Sequence, residues 1–182
     1  DMLYPAFAGI SDLMFEEYNP RLLRGIDVAF VALPSGEAMK VVPELRETVG
    51  KVVDLSGDFR LPSARLYEEY YKHKHTASAI LGSTVYGLPE LYRDSIAQAN
   101  LVANPGCYPT GAILALLPSL TNHVISPDGI VINALSGVSG AGRSSSVELS
   151  FTELNENIRA YKVGNHQHIP EIQSVLARIA GH

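Results

Sequence analysis

Cysteine and long apolar runs are scarce in this chain of 182 residues. A single cysteine excludes an internal disulfide framework and any multi-cysteine zinc site, and such usage is typical of a reducing compartment. The longest apolar runs, at 27–33 and 111–118, are well short of the roughly 20 residues that span a bilayer. We therefore expect a cytoplasmic protein with no membrane partner.

Positive charge is also scarce. The chain has 14 lysines and arginines against 19 acidic residues, a formal net charge of −5. A broad basic surface is therefore excluded, and nucleic acid is not expected as a partner, although single arginines can still hold small anions. With 46% hydrophobic residues, the chain suits one domain or two small ones and is not extensively disordered.

Short apolar, β-branched runs alternate with helical patterns along the first two thirds of the chain. This alternation predicts an α/β fold with a parallel sheet. Pro43 lies inside the first helical pattern and predicts either a kink or a later helix start, because it lacks a backbone donor. The predicted strands are 26–33, 51–56, 100–104, 129–136 and 159–163. The predicted helices lie in 36–49, 63–73, 109–120 and 170–182, and 76–100 is predicted to be a long structured loop.

Cys107 is the first candidate for chemistry. It lies between Pro105-Gly106 and a predicted helix, where free amide groups and the helix dipole stabilise a thiolate. A thiolate is a nucleophile, and Gly106 lets a substrate approach the backbone closely. The alternative is a buried cysteine that acts as a small hydrophobe.

A second candidate is the segment Asn165–Glu171, which contains His166, His168 and Glu171. The two histidines point the same way on an extended segment, and Glu171 could orient one of them, so the group can supply an acid or a base. The alternative is an exposed polar loop. Two histidines without a third ligand are weak evidence for zinc, and we expect no metal site.

Three further segments follow predicted strands, where open α/β sheets place their ligands. The glycine-rich stretch 136–143 offers approachable amides and the guanidinium of Arg143, suited to a phosphate or a cofactor amide. Arg60 can bind a carboxylate or phosphate, or instead pair with Asp58. Ser35 either faces a ligand or caps the next helix.

Six ordered motifs resemble those of the N-acetyl-γ-glutamyl-phosphate reductases, which belong to the semialdehyde dehydrogenase family. The first is VANPGCYPTGAILALLP at 102–118, in which Pro-Gly-Cys-Tyr-Pro-Thr at 105–110 resembles the active-site signature of that family. The other five are ALPSGEAMKVVPEL at 32–45, VVDLSGDFRL at 52–61, YGLPEL at 86–91, SGVSGAGR at 136–143 and HQHIPEI at 166–172.

The resemblance implies a Rossmann-like parallel sheet in 1–106 that belongs to an NADP-binding domain, joined at 107–182 to part of an α+β catalytic and dimerisation domain. A Gly-x-Gly-x-x-Gly motif is absent from the sequence, so we expect the chain to be an internal segment of a longer protein. In isolation it should bind NADPH poorly and turn over little substrate.

The same resemblance implies NADPH-dependent reduction of N-acetyl-γ-glutamyl phosphate, a small acyl phosphate, to the semialdehyde in arginine biosynthesis. Cys107 would form a thioester, with His166 or His168 as acid and base and Glu171 as orienter. A homo-oligomer, dimer or tetramer, is also implied. Substrate-binding candidates are Arg60, Arg143 and Asn104, and cofactor-binding candidates are Ser35, Gly36, Ser139 and Gly140.

Two rival interpretations stay open. A Cys-His hydrolase would use Cys107 with either histidine and needs no NADPH. A non-catalytic fragment is the other. Incubation with an acyl phosphate separates the first rival, since the reductase yields aldehyde and consumes NADPH whereas the hydrolase yields acid.

Overall fold

Four parallel strands form the centre of the structure, a computed structural model that describes residues 7–11, 13–143 and 145–181. The strands are β1 (Val28–Val31), β2 (Lys51–Asp54), β3 (Val85–Tyr86) and β4 (Leu101–Ala103), in the order β1-β2-β4-β3. β2 lies between β1 and β4. Lys51 of β2 is opposite Val28 of β1, and Asp54 of β2 is opposite Ala103 of β4. The predicted α/β class with a parallel sheet is confirmed.

Six α-helices accompany the sheet in the described part of the chain. They are α1 (Ala38–Arg46), α2 (Ala64–Tyr71), α3 (Pro89–Gln98), α4 (Cys107–Thr121), α5 (Phe151–Leu154) and α6 (His168–Ala180). Short 3-10 helices cover Pro20–Leu23, Ser78–Ser83, Val138–Ala141 and Val147–Leu149. None of the described helices is both long and apolar enough to cross a membrane.

The core forms two clusters. The first lies between α1, α2 and the sheet and includes fully buried Val42, Val52 and Tyr67. The second joins α4 and α6 to β3 and includes Ile113 and Val175. Because α4 follows β4 directly and α6 packs on α4, the second cluster fixes the two helix starts that carry the cysteine and the histidines.

Three local predictions were wrong. α1 begins at Ala38 and runs through Pro43 as one helix, because its face of Ala38, Met39, Val42 and Leu45 is buried and packing overrides propensity. The predicted loop 76–100 contains β3 and α3. The predicted strands 129–136 and 159–163 have no regular structure: neither pairs with any of the four described strands, and Val131 and Leu135 are exposed.

Candidate active site

Cys107 is the first residue of α4, and three residues separate it from the end of β4. Its side chain is exposed and forms no disulfide. Gly106, in extended backbone conformation, is the N-cap of the helix and has no side chain to cap it. The thiol therefore lies at the end of the helix where the first-turn amides have no partner within the helix. This exposure excludes the alternative of a buried, inert cysteine.

His168 lies directly against the residue that precedes the thiol. A β-carbon added to Gly106 would be 2.5 Å from His168 Nε2 and 2.9 Å from Cδ2 and Cε1. The imidazole thus occupies the space that any other residue at position 106 would fill. The packing of α6 on α4 brings the two together, although 60 residues separate them in the sequence. A potential base therefore lies against the residue next to the nucleophile.

The two histidines differ in their hydrogen bonds. The backbone amide of His168 donates to Nδ1 of His166 at 3.1 Å, so the proton of neutral His166 lies on Nε2. Nδ1 of His168 is buried without a hydrogen-bond partner. His166 is therefore held as an Nε2–H donor, whereas Nε2 of His168 faces Gly106 in the cysteine loop, residues 104–107, which joins β4 to α4.

Burial lowers the pKa of both imidazoles. For His168, burial and then the neighbouring charges of His166, Arg60 and Lys162 lower the pKa to about 4. For His166, burial and then the charge of Lys162 lower the pKa below its usual value. Both rings are consequently neutral at pH 7, the form that accepts a proton through a free ring nitrogen.

Two tyrosines that the sequence analysis overlooked complete this surface. The hydroxyls of Tyr108 and Tyr161 are 2.8 Å apart, and both rings contact His166 edge-on, with centroids 5.5 and 5.6 Å away. Burial and the Tyr108 contact raise the pKa of Tyr161 to about 12, so its hydroxyl stays protonated. Their nearness in sequence to Cys107 and His166 was the available signal.

Glu171 contacts the backbone of the cysteine loop. Its carboxylate is 1% exposed, and Oε1 accepts hydrogen bonds from the Gly106 amide and the Tyr86 hydroxyl, both at 2.8 Å. Burial raises the pKa of Glu171, opposed by the charge of Arg60 and by those two hydrogen bonds. The sequence analysis expected Glu171 to orient a histidine, but the structure shows it orienting Gly106.

Arg60 links the ends of two strands to this glutamate. Nε donates to the Asn104 carbonyl at 2.7 Å and Nη2 to the Leu55 carbonyl at 2.8 Å, while Nη1 lies 3.8 Å from Oε2 of Glu171. The alternative pairing with Asp58 is not formed, since Asp58 binds other groups. The half-buried Asn104 side chain donates to the Pro105 carbonyl at 3.1 Å. Roles of Arg60 and Asn104 towards substrate stay predictions.

Ser35 and Gly36 follow β1 at the same edge of the sheet as Cys107. Ser35 Oγ accepts a hydrogen bond from the Gly57 amide at 3.2 Å, so Ser35 does not cap α1. Gly36 has a φ of +94°, and an added β-carbon would meet only His73 Cδ2, at 4.0 Å. The outer surface of this loop is therefore open to a ligand.

The glycine-rich segment is placed differently from the cysteine loop. Ser139 and Gly140 lie in the exposed 3-10 helix Val138–Ala141, and the backbone hydrogen bonds shown there, Gly140 to Gly137 and Gly142 to Ser139, are local. Arg143 is exposed. The roles of this segment towards substrate and cofactor stay predictions.

Comparison with known proteins gives two family matches. The semialdehyde dehydrogenase NAD binding domain matches residues 1–99, and the semialdehyde dehydrogenase dimerisation domain matches residues 107–182. Similar proteins named N-acetyl-gamma-glutamyl-phosphate reductase occur in Pelotomaculum thermopropionicum and Desulforudis audaxviator, each 49% identical over 180 residues, and in Desulforamulus reducens, 47% identical over 180 residues. Each match covers 98% of this chain and 52% of the relative, so the chain spans about half the length of these curated relatives.

Proposed function

The chain belongs to the semialdehyde dehydrogenase family, and we propose that it carries the catalytic thiol of an NADPH-dependent N-acetyl-γ-glutamyl-phosphate reductase. One observation carries the proposal: the exposed Cys107 begins α4 while the imidazole of His168 packs on Gly106. An accessible nucleophile next to a neutral base is what attack on an acyl phosphate requires.

In the first step, the sulfur of Cys107 attacks the carbonyl carbon of the acyl phosphate. The thiol proton moves to Nε2 of His168, a carbon–sulfur bond forms, and the carbon–oxygen bond to phosphate breaks. Inorganic phosphate leaves and the acyl group remains as a thioester on Cys107. The free amides at the start of α4 stabilise the negative charge that develops on the carbonyl oxygen.

The chain fits a nicotinamide nucleotide at the carboxyl ends of its parallel strands, where such sheets hold ligands. Ser35 and Gly36 are small, and the space above Gly36 is open. NADPH, when bound, supplies the hydride that reduces the thioester. The cofactor roles of Ser35, Gly36, Ser139 and Gly140 are part of the proposal.

In the last step, the tetrahedral carbon on Cys107 collapses to the aldehyde and releases the sulfur. The proton held by His168 returns to Cys107, which restores both groups. His166, fixed as an Nε2–H donor by its contact with the His168 amide, is suited to hydrogen-bond an oxygen of the substrate rather than to take the thiol proton. This assigns the base to His168 and a donor role to His166.

Substrate and assembly follow the same proposal. Arg60, Arg143 and Asn104 are the candidates for the carboxylate and phosphate of the substrate, and Arg60 also contacts the Asn104 carbonyl and Glu171. The match to a dimerisation domain supports a homo-oligomer, dimer or tetramer, and arginine biosynthesis is the corresponding pathway.

Replacement of Cys107 by Ser, made in the complete gene product that contains these residues, tests the proposal. NADPH oxidation and aldehyde formation should fall by about a thousandfold or more, while NADPH affinity and the melting temperature stay unchanged, because the side chain is exposed. Retained reduction in Cys107→Ser would remove the thiol from the mechanism. Formation of acid without NADPH consumption by the unaltered protein would instead identify a hydrolase.

A further inference from the structure

Asp58 is a fully buried carboxylate that the proposed mechanism does not use. It follows β2 and is 0% exposed. Oδ1 accepts hydrogen bonds from the Gly36 amide and the Tyr67 hydroxyl, both at 2.7 Å, and Oδ2 accepts one from the Met39 amide at 2.9 Å. A buried carboxylate with three donors is strongly committed to this arrangement.

The two amides belong to the loop after β1 and to the first turn of α1. The N-cap residue of that helix, Glu37, makes no side-chain capping bond. Asp58 therefore caps α1 from another segment of the chain, and the positive end of the helix dipole favours its negative charge.

Two further contacts hold this region: one joins the loops after β1 and β2, and the other holds the Asp58 backbone from the segment after α2. The Gly57 amide donates to Ser35 Oγ at 3.2 Å, and the His75 Nε2 lies 2.8 Å from the Asp58 carbonyl oxygen. The positive φ of Gly36 permits the tight turn that brings its amide to Asp58. The shape of the loop at Ser35 and Gly36 consequently depends on Asp58 more than on its own side chains.

We propose that Asp58 is a positioning residue for nicotinamide-nucleotide binding, holding the Ser35–Gly36 loop in its ligand-accepting shape. The inference rests on the proposed function, because the ligand is the cofactor of that reaction. If loss of the carboxylate leaves only about a tenth of the molecules with the competent loop, the apparent affinity for NADPH falls about tenfold. The steps at Cys107, at the start of α4, need not change.

Replacement of Asp58 by Asn in the complete gene product tests this with three readouts. Without cofactor, hydrogen exchange of the Gly36 and Met39 amides should become about tenfold faster or more, since hydrogen bonds to a charged acceptor are lost. NADPH titration by fluorescence should show a Kd raised about tenfold. The KM for the acyl phosphate should stay within about twofold, since the hydrogen bonds of the Asp58 carboxylate go to Gly36, Met39 and Tyr67 and not to the residues around Cys107.

Asp54→Asn is the matched control. Asp54 is equally buried, and its carboxylate accepts hydrogen bonds from the amide and hydroxyl of Ser56. The Ser56 hydroxyl in turn accepts a hydrogen bond from the Asp58 backbone amide, so this control keeps the Asp58 carboxylate and its bonds to Gly36 and Met39. It should alter stability without altering NADPH affinity. A change in Kd of the same size in both variants would show a general effect of losing a buried carboxylate and overturn the proposal.

Tyr67→Phe provides the milder test if Asp58→Asn does not fold. It removes one donor from Asp58 Oδ1 and should raise the NADPH Kd about twofold to fivefold. An unchanged NADPH Kd in folded Asp58→Asn would refute the positioning role of Asp58 and leave the proposed function in place. If Asp58→Asn fails to fold, an unchanged Kd in Tyr67→Phe would refute that role in the same way. An unaltered protein that binds no NADPH would refute the proposed function and this role with it.

Discussion

Gly106→Ala tests the contact on which the proposed chemistry depends. The added β-carbon would be 2.5 Å from His168 Nε2, whereas ordinary contacts begin at 3.4 Å, so the ring must retreat by about 0.9 Å. His168 is 9% exposed and its ring also contacts Tyr108 and His166. Overpacking of this kind lowers the free energy of unfolding by about 1–3 kcal/mol, and a displacement of about 1 Å in a catalytic group lowers kcat by up to about 100-fold.

Urea unfolding and steady-state kinetics of the complete gene product measure both effects. Gly111→Ala is the matched control, because it lies in the same helix and an added β-carbon there meets nothing within 4 Å. That variant should be more stable by about 0.5–1 kcal/mol, with unchanged kcat. Introduced together with His168→Ala, Gly106→Ala should cost little stability, because the clashing ring is gone. Unchanged stability and activity in Gly106→Ala alone would refute the placement of His168.

Three further outcomes follow from the buried groups. Glu171→Gln should lower the free energy of unfolding by about 1–3 kcal/mol and lower kcat by about tenfold, because the amide group that replaces Oε2 faces Arg60 with a donor. An unaltered kcat would exclude Glu171 from positioning the cysteine loop. Burial lowers the pKa of His168 to about 4, so this residue contributes stability above its ordinary pKa of about 6.5, and that contribution is lost as pH falls through about 4. The unaltered protein should therefore lose about 3 kcal/mol more than His168→Gln between pH 7 and pH 4 in urea unfolding; equal losses would contradict the buried neutral imidazole. Tyr161→Phe should leave stability within about 0.5 kcal/mol, since the ring is 54% exposed, and a large loss would place this tyrosine in the core instead.

The main elements of the fold could be predicted because each has a local signal. β1, β2 and β4 lie in short apolar runs, and α6 lies where a proline and an acidic residue open an amphipathic pattern. α3 was missed although Pro89 is its first residue and Glu90 lies in its first turn, the usual start signal. The glycines and serines that precede α3 in the sequence favoured the prediction of a loop. β3 has two residues and exists only through its pairing with β4, which no local pattern encodes.

The apolar stretch 129–136 shows the opposite error. Its pattern expresses a preference for burial and extended structure, but a strand also needs a neighbour to satisfy its backbone groups. Among the strands that the structure describes, none pairs with this segment. Hydrophobic alternation is therefore a necessary signal for a strand and an insufficient one.

Some site residues could be predicted from the sequence and others could not. Cys107 and the two histidines could be singled out because thiol and imidazole groups are reactive wherever they lie. The partners of Glu171 and Arg60 could not, since these charged groups bind backbone atoms of Gly106 and Asn104. Every residue has those atoms, so side-chain identity carries no information about such contacts, and only the fold brings them together.

The two buried carboxylates act on different parts of the proposed reaction, one on the attack by the thiol and the other on cofactor binding. Glu171 binds the loop ahead of Cys107, which follows β4, whereas Asp58 binds the loop that follows β1. Each buried carboxylate shapes one loop by accepting its amides, and neither loop shares its carboxylate with the other. Loss of Glu171 should consequently act on kcat through the thiol, and loss of Asp58 on NADPH affinity through Ser35 and Gly36. Variants that moved both quantities together would mean that the sheet edge responds as one rigid unit, and the division of labour between the two carboxylates would not hold.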